Sequence, residues 1–213
     1  MPEYVLRSQM PVSAQELYAW HARPGALERL LPPHGHVSLP RHAGPALREG
    51  AQVELRIQIG PLARRWLLRR LQVREGSSFQ ERQTEGPFAD WSHVHRFVPE
   101  SAQTCWMEDA VQYALPWGWA GREPAERLVR RVLECEFRFR HRRLLQDLQR
   151  HAQYRQARPW RIAVSGAGGL VGRALCAYLS SAGHTVLRLA RPGAAAGSLA
   201  VSGEIPWEPG EAL

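Results

Sequence analysis

The stretch Arg161–Arg191, RIAVSGAGGLVGRALCAYLSSAGHTVLRLAR, carries the sharpest signal in this 213-residue chain. Arg161–Val164 reads as a short apolar strand. Ser165–Gly172 (SGAGGLVG) follows as a glycine-rich turn, then Arg173–Ala182 as a helix. Gly183 suits the left-handed position that closes helices, and Thr185–Ala190 reads as a second strand. The glycines have distinct roles. Gly166 permits the tight turn out of the strand, Gly169 lets the backbone approach a pyrophosphate, and Gly172 lets the helix pack close to the strand. The backbone from Gly168 through Leu170 and Val171 supplies free N–H groups at a helix start, which favours anionic phosphates. A glycine triplet alone is a weak signal. A strand before it, a helix after it and a second strand at the right distance make a dinucleotide-binding signature.

Arg191 adds to this. It lies nineteen residues after Gly172, at the end of the second strand. Enzymes that use NAD usually place an acidic residue there, whereas an arginine suits the 2′-phosphate of NADP. The bland alternative is an exposed arginine in an arginine-rich chain. The expected cofactor is NADP, with NAD as the alternative, and only where the Rossmann domain is complete. A β–α–β unit of about 50 residues cannot bury both faces of its strands. Residues 160–213 are therefore expected to be partly exposed, poorly ordered, or docked on what precedes them.

Upstream, His151–Pro159 (HAQYRQARP) reads as a polar linker broken by Pro159. It separates a first domain, residues 1–150, from the glycine-rich unit at 160–213. In the first domain Tyr4–Ser8 reads as a strand. Val12–Leu31 reads as helical, with Ser13 as N-cap and Glu16 three residues on. Val53–Ile59 alternates strictly, as a half-buried strand does. Trp66–Arg74, Phe79–Gln83, Trp91–Val98 and Thr104–Leu115 are further strands, and Pro116–Pro124 is a loop. Glu126–Arg150 is one long helix, with apolar residues recurring at three and four. An antiparallel sheet must bury one face, and the long helix is its natural cover.

Candidate polar groups follow from strand alternation. Trp91, His93, His95 and Phe97 share one face. Met107, Asp109, Val111, Tyr113 and Leu115 share another. Antiparallel pairing brings Asp109 near His95 or His93. Trp91, His93, His95, Asp109 and Tyr113 are the candidate cavity residues. Three readings of the carboxylate and imidazoles stay open: a structural hydrogen bond, ligand contact with proton transfer, and metal. No metal site is assigned, because a His-x-His pair with Asp109 is short of ligands. Trp117 and Trp119 fall where a cavity mouth is expected; the plain alternative is core area.

The segments GPFADWSHVHRF, MEDAVQYALPWG and LECEFRFRHRRLLQDL resemble the START-like polyketide-cyclase (SRPBCC) superfamily over about residues 1–150. The resemblance implies an α+β helix-grip domain with a deep apolar cavity, hence a hydrophobic small-molecule ligand. SGAGGLVGRALCAYLSSAGHTVLRLARP with IPWEPGEAL resembles the start of an NAD(P)-binding, sugar-epimerase-like branch of the extended and atypical short-chain dehydrogenase/reductases. It implies an incomplete α/β Rossmann β–α–β unit after the first domain. Some members of that family carry a START-like domain ahead of the reductase domain. The family's Tyr-x-x-x-Lys region has no counterpart here, since all 28 basic residues are arginine and none is lysine. No catalytic residue is assigned, and these residues alone are expected to bind a ligand without transferring hydride.

Composition sets the remaining limits. The net charge of +8 raises nucleic acid as a partner, yet the arginines are spread along the chain. A nucleic-acid binder is the weakest of three readings, behind the two-part oxidoreductase and a stand-alone ligand-binding protein with a vestigial tail. On the long helix, Arg127, Arg130, Arg131, Arg138, Arg142 and Arg143 read first as a solvated face. No run of ~18 apolar residues suggests a membrane span, and no signal peptide is evident. Cys105, Cys135 and Cys176 are odd in number and far apart, which fits a reducing cytoplasm. Ligand identity and oligomeric state are not legible.

Overall fold

The computed structural model describes residues 1–33, 35, 37–39, 47–59, 61–116, 123–154, 158–190 and 204–207. Seven strands form one antiparallel sheet. They are β1 (Glu3–Met10), β2 (Val37–Ser38), β3 (Gln52–Ile59), β4 (Leu62–Arg74), β5 (Ser78–Glu85), β6 (Asp90–Pro99) and β7 (Cys105–Ala114). Their spatial order is β1-β7-β6-β5-β4-β3-β2. Between β1 and β2 lie helices α1 (Ala14–Ala22) and α2 (Ala26–Leu30), and after β7 comes α3 (Glu123–Gln153). The apolar stripe Leu133, Phe137, Leu144 and Leu148 of α3 is buried, so the curved sheet grips this helix. The fold is α+β helix-grip, as the sequence led us to expect.

Most local expectations hold to within a few residues. Ser13 caps α1, its Oγ accepting from the Glu16 N–H at 3.2 Å. The single helix expected over Val12–Leu31 is instead two. Arg23-Pro24-Gly25 breaks it, with Gly25 at φ +81° just ahead of α2. Pro24 lacks the N–H that helix continuation needs, and glycine accepts the left-handed turn. β4 starts four residues earlier than expected and carries a bulge at Gln72, where φ is +50°. Bulges bend and twist a strand, which helps this sheet to curve.

Among the described residues, the core on the large sheet forms two clusters. One gathers Met10, Leu17, Trp20, Phe79, Phe97 and Leu144 against α1. The other gathers Val53, Leu55, Trp66, Trp91, Val111 and Phe137 on the other part of the same sheet face.

After α3 come β8 (Arg161–Ser165), α4 (Leu170–Ser181), β9 (Thr185–Ala190) and β10 (Glu204–Pro206). They form a three-stranded parallel sheet in the order β10-β9-β8. That is the 3-2-1 order in which the first half of a doubly wound dinucleotide fold runs. This small sheet fits an incomplete Rossmann-like unit. Of the outcomes expected for it, the structure shows docking. α4 packs on the small sheet through Cys176 and Leu179, and on α2 through Ala177. Arg23 donates to the Ser181 carbonyl at 3.1 Å, and the Arg29 guanidinium lies 5.4 Å from the Tyr178 ring centroid. Arg29 is itself held to Asp147 of α3 by two hydrogen bonds of 2.7 Å. Ala163 and Ser165 of β8 remain exposed.

Candidate functional site

Between α3 and the β3–β6 side of the large sheet lies a cavity of about 730 Å³. A volume in this range suits a small organic ligand. Its wall includes Leu27 of α2, Val53 and Leu55 of β3, Trp66 and Leu68 of β4, and Phe137 of α3. Leu62 and Leu128, both 61% exposed, mark its open end. Glu81 and His93 bring polar atoms to the wall on the side facing the α1 cluster.

Strand register explains how these atoms arrive. β6 pairs with β7 so that Trp91 faces Tyr113, His95 faces Asp109 and Phe97 faces Met107. β5 pairs with β6 so that Phe79 faces His95 and Glu81 faces His93. Alternation aims all of these residues at the concave face. Trp91 and His93 stand on the cavity wall; His95, Asp109 and Tyr113 are buried next to it. Asp109 reaches both imidazoles. His93 Nε2–H donates to its Oδ1 at 3.0 Å, and His95 Nδ1 lies 2.7 Å from the same oxygen. The His95 charge is the largest of the attractions that keep this carboxylate ionised.

Three partners were not foreseen. His141 of α3 donates from Nε2 to Asp109 Oδ2 at 2.7 Å, and its Nδ1 accepts from Ser8 Oγ at 2.8 Å. Glu81 Oε1 accepts from buried Arg70 Nε at 3.3 Å, and its Oε2 lies 3.9 Å from His95 Nε2. His21 of α1 donates to the Leu17 carbonyl at 2.8 Å and sits 6.0 Å from the His95 ring. His141 left a trace in the sequence, four residues after Phe137 on the apolar stripe of α3. Glu81 is a charge on the apolar side of an alternating strand, two residues from Phe79.

Electrostatics fixes the charge states. Burial alone would raise the Asp109 carboxyl. The His95 charge and the imidazole contacts outweigh it and hold the group well below the usual carboxylate range. Glu81 is likewise depressed, against burial, by His95 and Arg70. His95 is raised despite burial, because Asp109 and Glu81 flank it. Two carboxylates therefore face two cations, Arg70 and His95. Burial first, then the His95 charge, hold His93 and His21 down to about 4. A neutral His93 whose Nε2–H is given to Asp109 keeps its other ring nitrogen as an acceptor.

Glu81, His93 and His95 each offer one ligand atom within 4.8 Å of the others. Arg70 and His95 already neutralise the carboxylates, so we assign no metal here.

The charge states predict a pH profile. Unfolded, His21 and His93 titrate near 6.5; folded, they favour the neutral form. Their contribution is complete above pH ~6.5 and lost as pH falls towards ~4, each on the order of 3 kcal/mol. His95 runs the other way, contributing fully below ~6.5 and losing that as pH rises through its raised folded value. Stability should peak near neutrality. Urea unfolding midpoints should drop steeply between pH 6.5 and 4; a level profile across that window would contradict the assignment.

At the glycine-rich turn, Gly166 has φ +67°. A Cβ on Gly172 would sit 2.1 Å from the Gly166 carbonyl oxygen, so this glycine is required for close helix–strand packing. Gly168 has open space where a Cβ would point, and Gly169 caps α4 with no side-chain bond. Leu170 and Val171 are 88% and 78% exposed at the helix start. Gly183 adopts φ +98°, as its place after α4 requires. Arg191, Trp117 and Trp119 lie outside the described residues. Among the described residues all three cysteines are free, and no helix is long and apolar enough to cross a membrane.

A seven-stranded sheet gripping one long helix over an apolar cavity defines a START-like fold. Its likeness to solved structures bears this out. The Zhui aromatase/cyclase from Streptomyces sp. R1128 matches at TM-score 0.57 and 14% identity, over 72% of this chain and 96% of that one. A norcoclaurine synthase point mutant from Thalictrum flavum matches at TM-score 0.52 and 12% identity, over 71% and 96%. Such identities show the fold alone. The chain belongs to the family described as Domain of unknown function (DUF8410), whose model matches residues 8–148. A nucleoside-diphosphate sugar epimerase from Corynebacterium glutamicum matches at TM-score 0.68 and 28% identity over 87% of this chain. The match spans 38% of that protein's length. No curated protein matches the chain.

Proposed function

We propose that this chain is the ligand-capturing part of an NADP-linked oxidoreductase or epimerase. Its first domain, residues 1–150, takes a hydrophobic small molecule into the cavity. After a linker at 151–159, residues 160–213 open a dinucleotide site. There Gly166, Gly168, Gly169, Leu170, Val171 and Gly172 present backbone to the pyrophosphate, and Arg191 meets the 2′-phosphate. The observation that carries the reading is the match to the C. glutamicum epimerase. At 87% of this chain it is longer than the first domain, which supports the two-part reading. The cavity and the glycine turn supply the physical means.

α2 links the two parts, with Leu27 on the cavity wall and Gly25 against Ala177 of α4. A ligand held in the first domain is thereby kept at a fixed distance from the cofactor end, which lowers the entropic cost of bringing them together.

Saturation-transfer NMR, which reads weak binding, tests the cofactor half. NADPH should show transfer, NADH less, and Gly172→Val should remove both. Equal transfer to the wild type and to Gly172→Val would sink the dinucleotide assignment. A stand-alone binding protein with a vestigial tail is the second reading; cavity binding with no dinucleotide transfer favours it.

A further inference from the structure

His151, in the last turn of α3, stands where α4 docks, its ring 4.8 Å from the Tyr178 ring of α4. Both of its ring nitrogens are shut off from solvent, and neither meets a hydrogen-bond partner among the described residues. Buried polar atoms without partners are costly, and native structures keep few of them. A neutral imidazole leaves one donor and one acceptor unmet; an imidazolium would leave two donors and a full charge. The docked arrangement therefore suits the neutral ring alone.

The neighbouring charges add to this. Asp147 of α3, Arg23 at the end of α1, Arg29 of α2 and His184 just after α4 all bear on the ring. Asp147 gives both carboxylate oxygens to Arg29 at 2.7 Å, and Glu16 of α1 is paired with Arg23 at 2.9 Å. A proton on His151 would thus sit beside two guanidinium groups whose counter-charges are already engaged. Burial, the largest cause, holds the imidazole below its ordinary value; Asp147 opposes this, and Arg23 and Arg29 reinforce it. We propose that His151 is a pH-sensitive latch: neutral, it lets α4 lie against α2 and α3; protonated, it drives α4, and the glycine-rich turn ahead of it, off the first domain. Undocked, the ring titrates near 6.5; docked, it stays neutral to a lower pH. Docking is therefore fully favoured above pH ~6.5 and weakens as pH falls below it. The latch depends only on the docking of α4, whatever the cavity binds.

Amide exchange on the full chain tests it, read as protection factors so that the pH dependence of the exchange chemistry cancels. From pH 7.5 to 5.5, protection of the α4 amides should fall by up to ~10-fold, the full weight of one histidine that titrates near 6.5 when undocked and stays neutral when docked. His151→Phe keeps a ring against Tyr178 and cannot take up a proton, so its α4 protection should stay level across this window. Level protection in the wild type overturns the latch. So does a fall as large in His151→Phe as in the wild type, which would move the sensitivity to His184, whose Nδ1 accepts from the Trp160 N–H at 3.1 Å. NMR titration of the His151 ring gives a second reading that does not need the Phe variant to dock. The ring should titrate lower in the wild type than in Gly25→Ala, where the seam is forced open; equal values overturn the latch.

Discussion

Asp109→Ala should lower the unfolding free energy by about 3–5 kcal/mol, the range for removing one partner of a buried ion pair. Asp109 is 1% exposed and serves three imidazoles, two from β6 and one from α3. Alanine leaves the His95 charge without its main partner and the ring N–H groups of His93 and His141 without acceptors. Water cannot repair this cheaply, because the cluster lies between the two apolar parts of the core. Against a typical total of ~5–15 kcal/mol, the loss is a large fraction of the whole. Asp109→Asn keeps the shape and one acceptor oxygen but drops the charge. It should cost less, and it should pull the His95 titration down in an NMR experiment. Urea unfolding at pH 7 reads the first effect. A loss under ~1 kcal/mol would show that the cluster does not hold the sheet to α3. Unchanged cavity binding in a folded but weakened Asp109→Ala protein would assign the carboxylate a structural role rather than ligand contact.

Gly25→Ala should separate the two parts of the chain. Gly25 has φ +81°, where an L side chain is strained, and its added Cβ would fall 2.5 Å from the Ala177 carbonyl oxygen. The neighbours in the way are backbone atoms of α4, which cannot rotate aside as a side chain does. The contact of α2 with α4 must open, taking with it the Arg23 bond to the Ser181 carbonyl. The expected result is faster proteolytic cleavage in the 151–159 segment and rapid amide exchange in α4. The β6–β7 amides should stay protected. Equal cleavage rates for the wild type and Gly25→Ala would contradict the docking described for α4.

What the sequence made legible follows periodicity and local chemistry. Strict alternation in Val53–Ile59 and the shared faces of β6 and β7 predicted the concave side and put Asp109 next to His93 and His95. The Ser13 cap and the turn at Gly183 are local, so they could be read from a few residues. The helix break at Pro24-Gly25 was equally local, but the apolar spacing on either side masked it. β2 and β10 are two and three residues long. Elements that short have no period to read and exist only through pairing with β3 and β9. His141 joins Asp109 across 32 residues and Arg70 meets Glu81 across eleven. Both contacts depend on how elements pack, so the stripe position of His141 and the inward charge of Glu81 were the only traces available. The cavity is further removed still, because it is space left between elements rather than a property of any segment.

Binding of N-phenyl-1-naphthylamine, a probe that fluoresces when it leaves water, tests the central claim most directly. The wild type should give saturable enhancement at about one probe per chain. Val53→Trp, which fills the cavity from a wall residue that is 1% exposed, should abolish the enhancement in a protein that still unfolds cooperatively. No enhancement with the wild type, or enhancement undiminished in a folded Val53→Trp variant, would contradict the account.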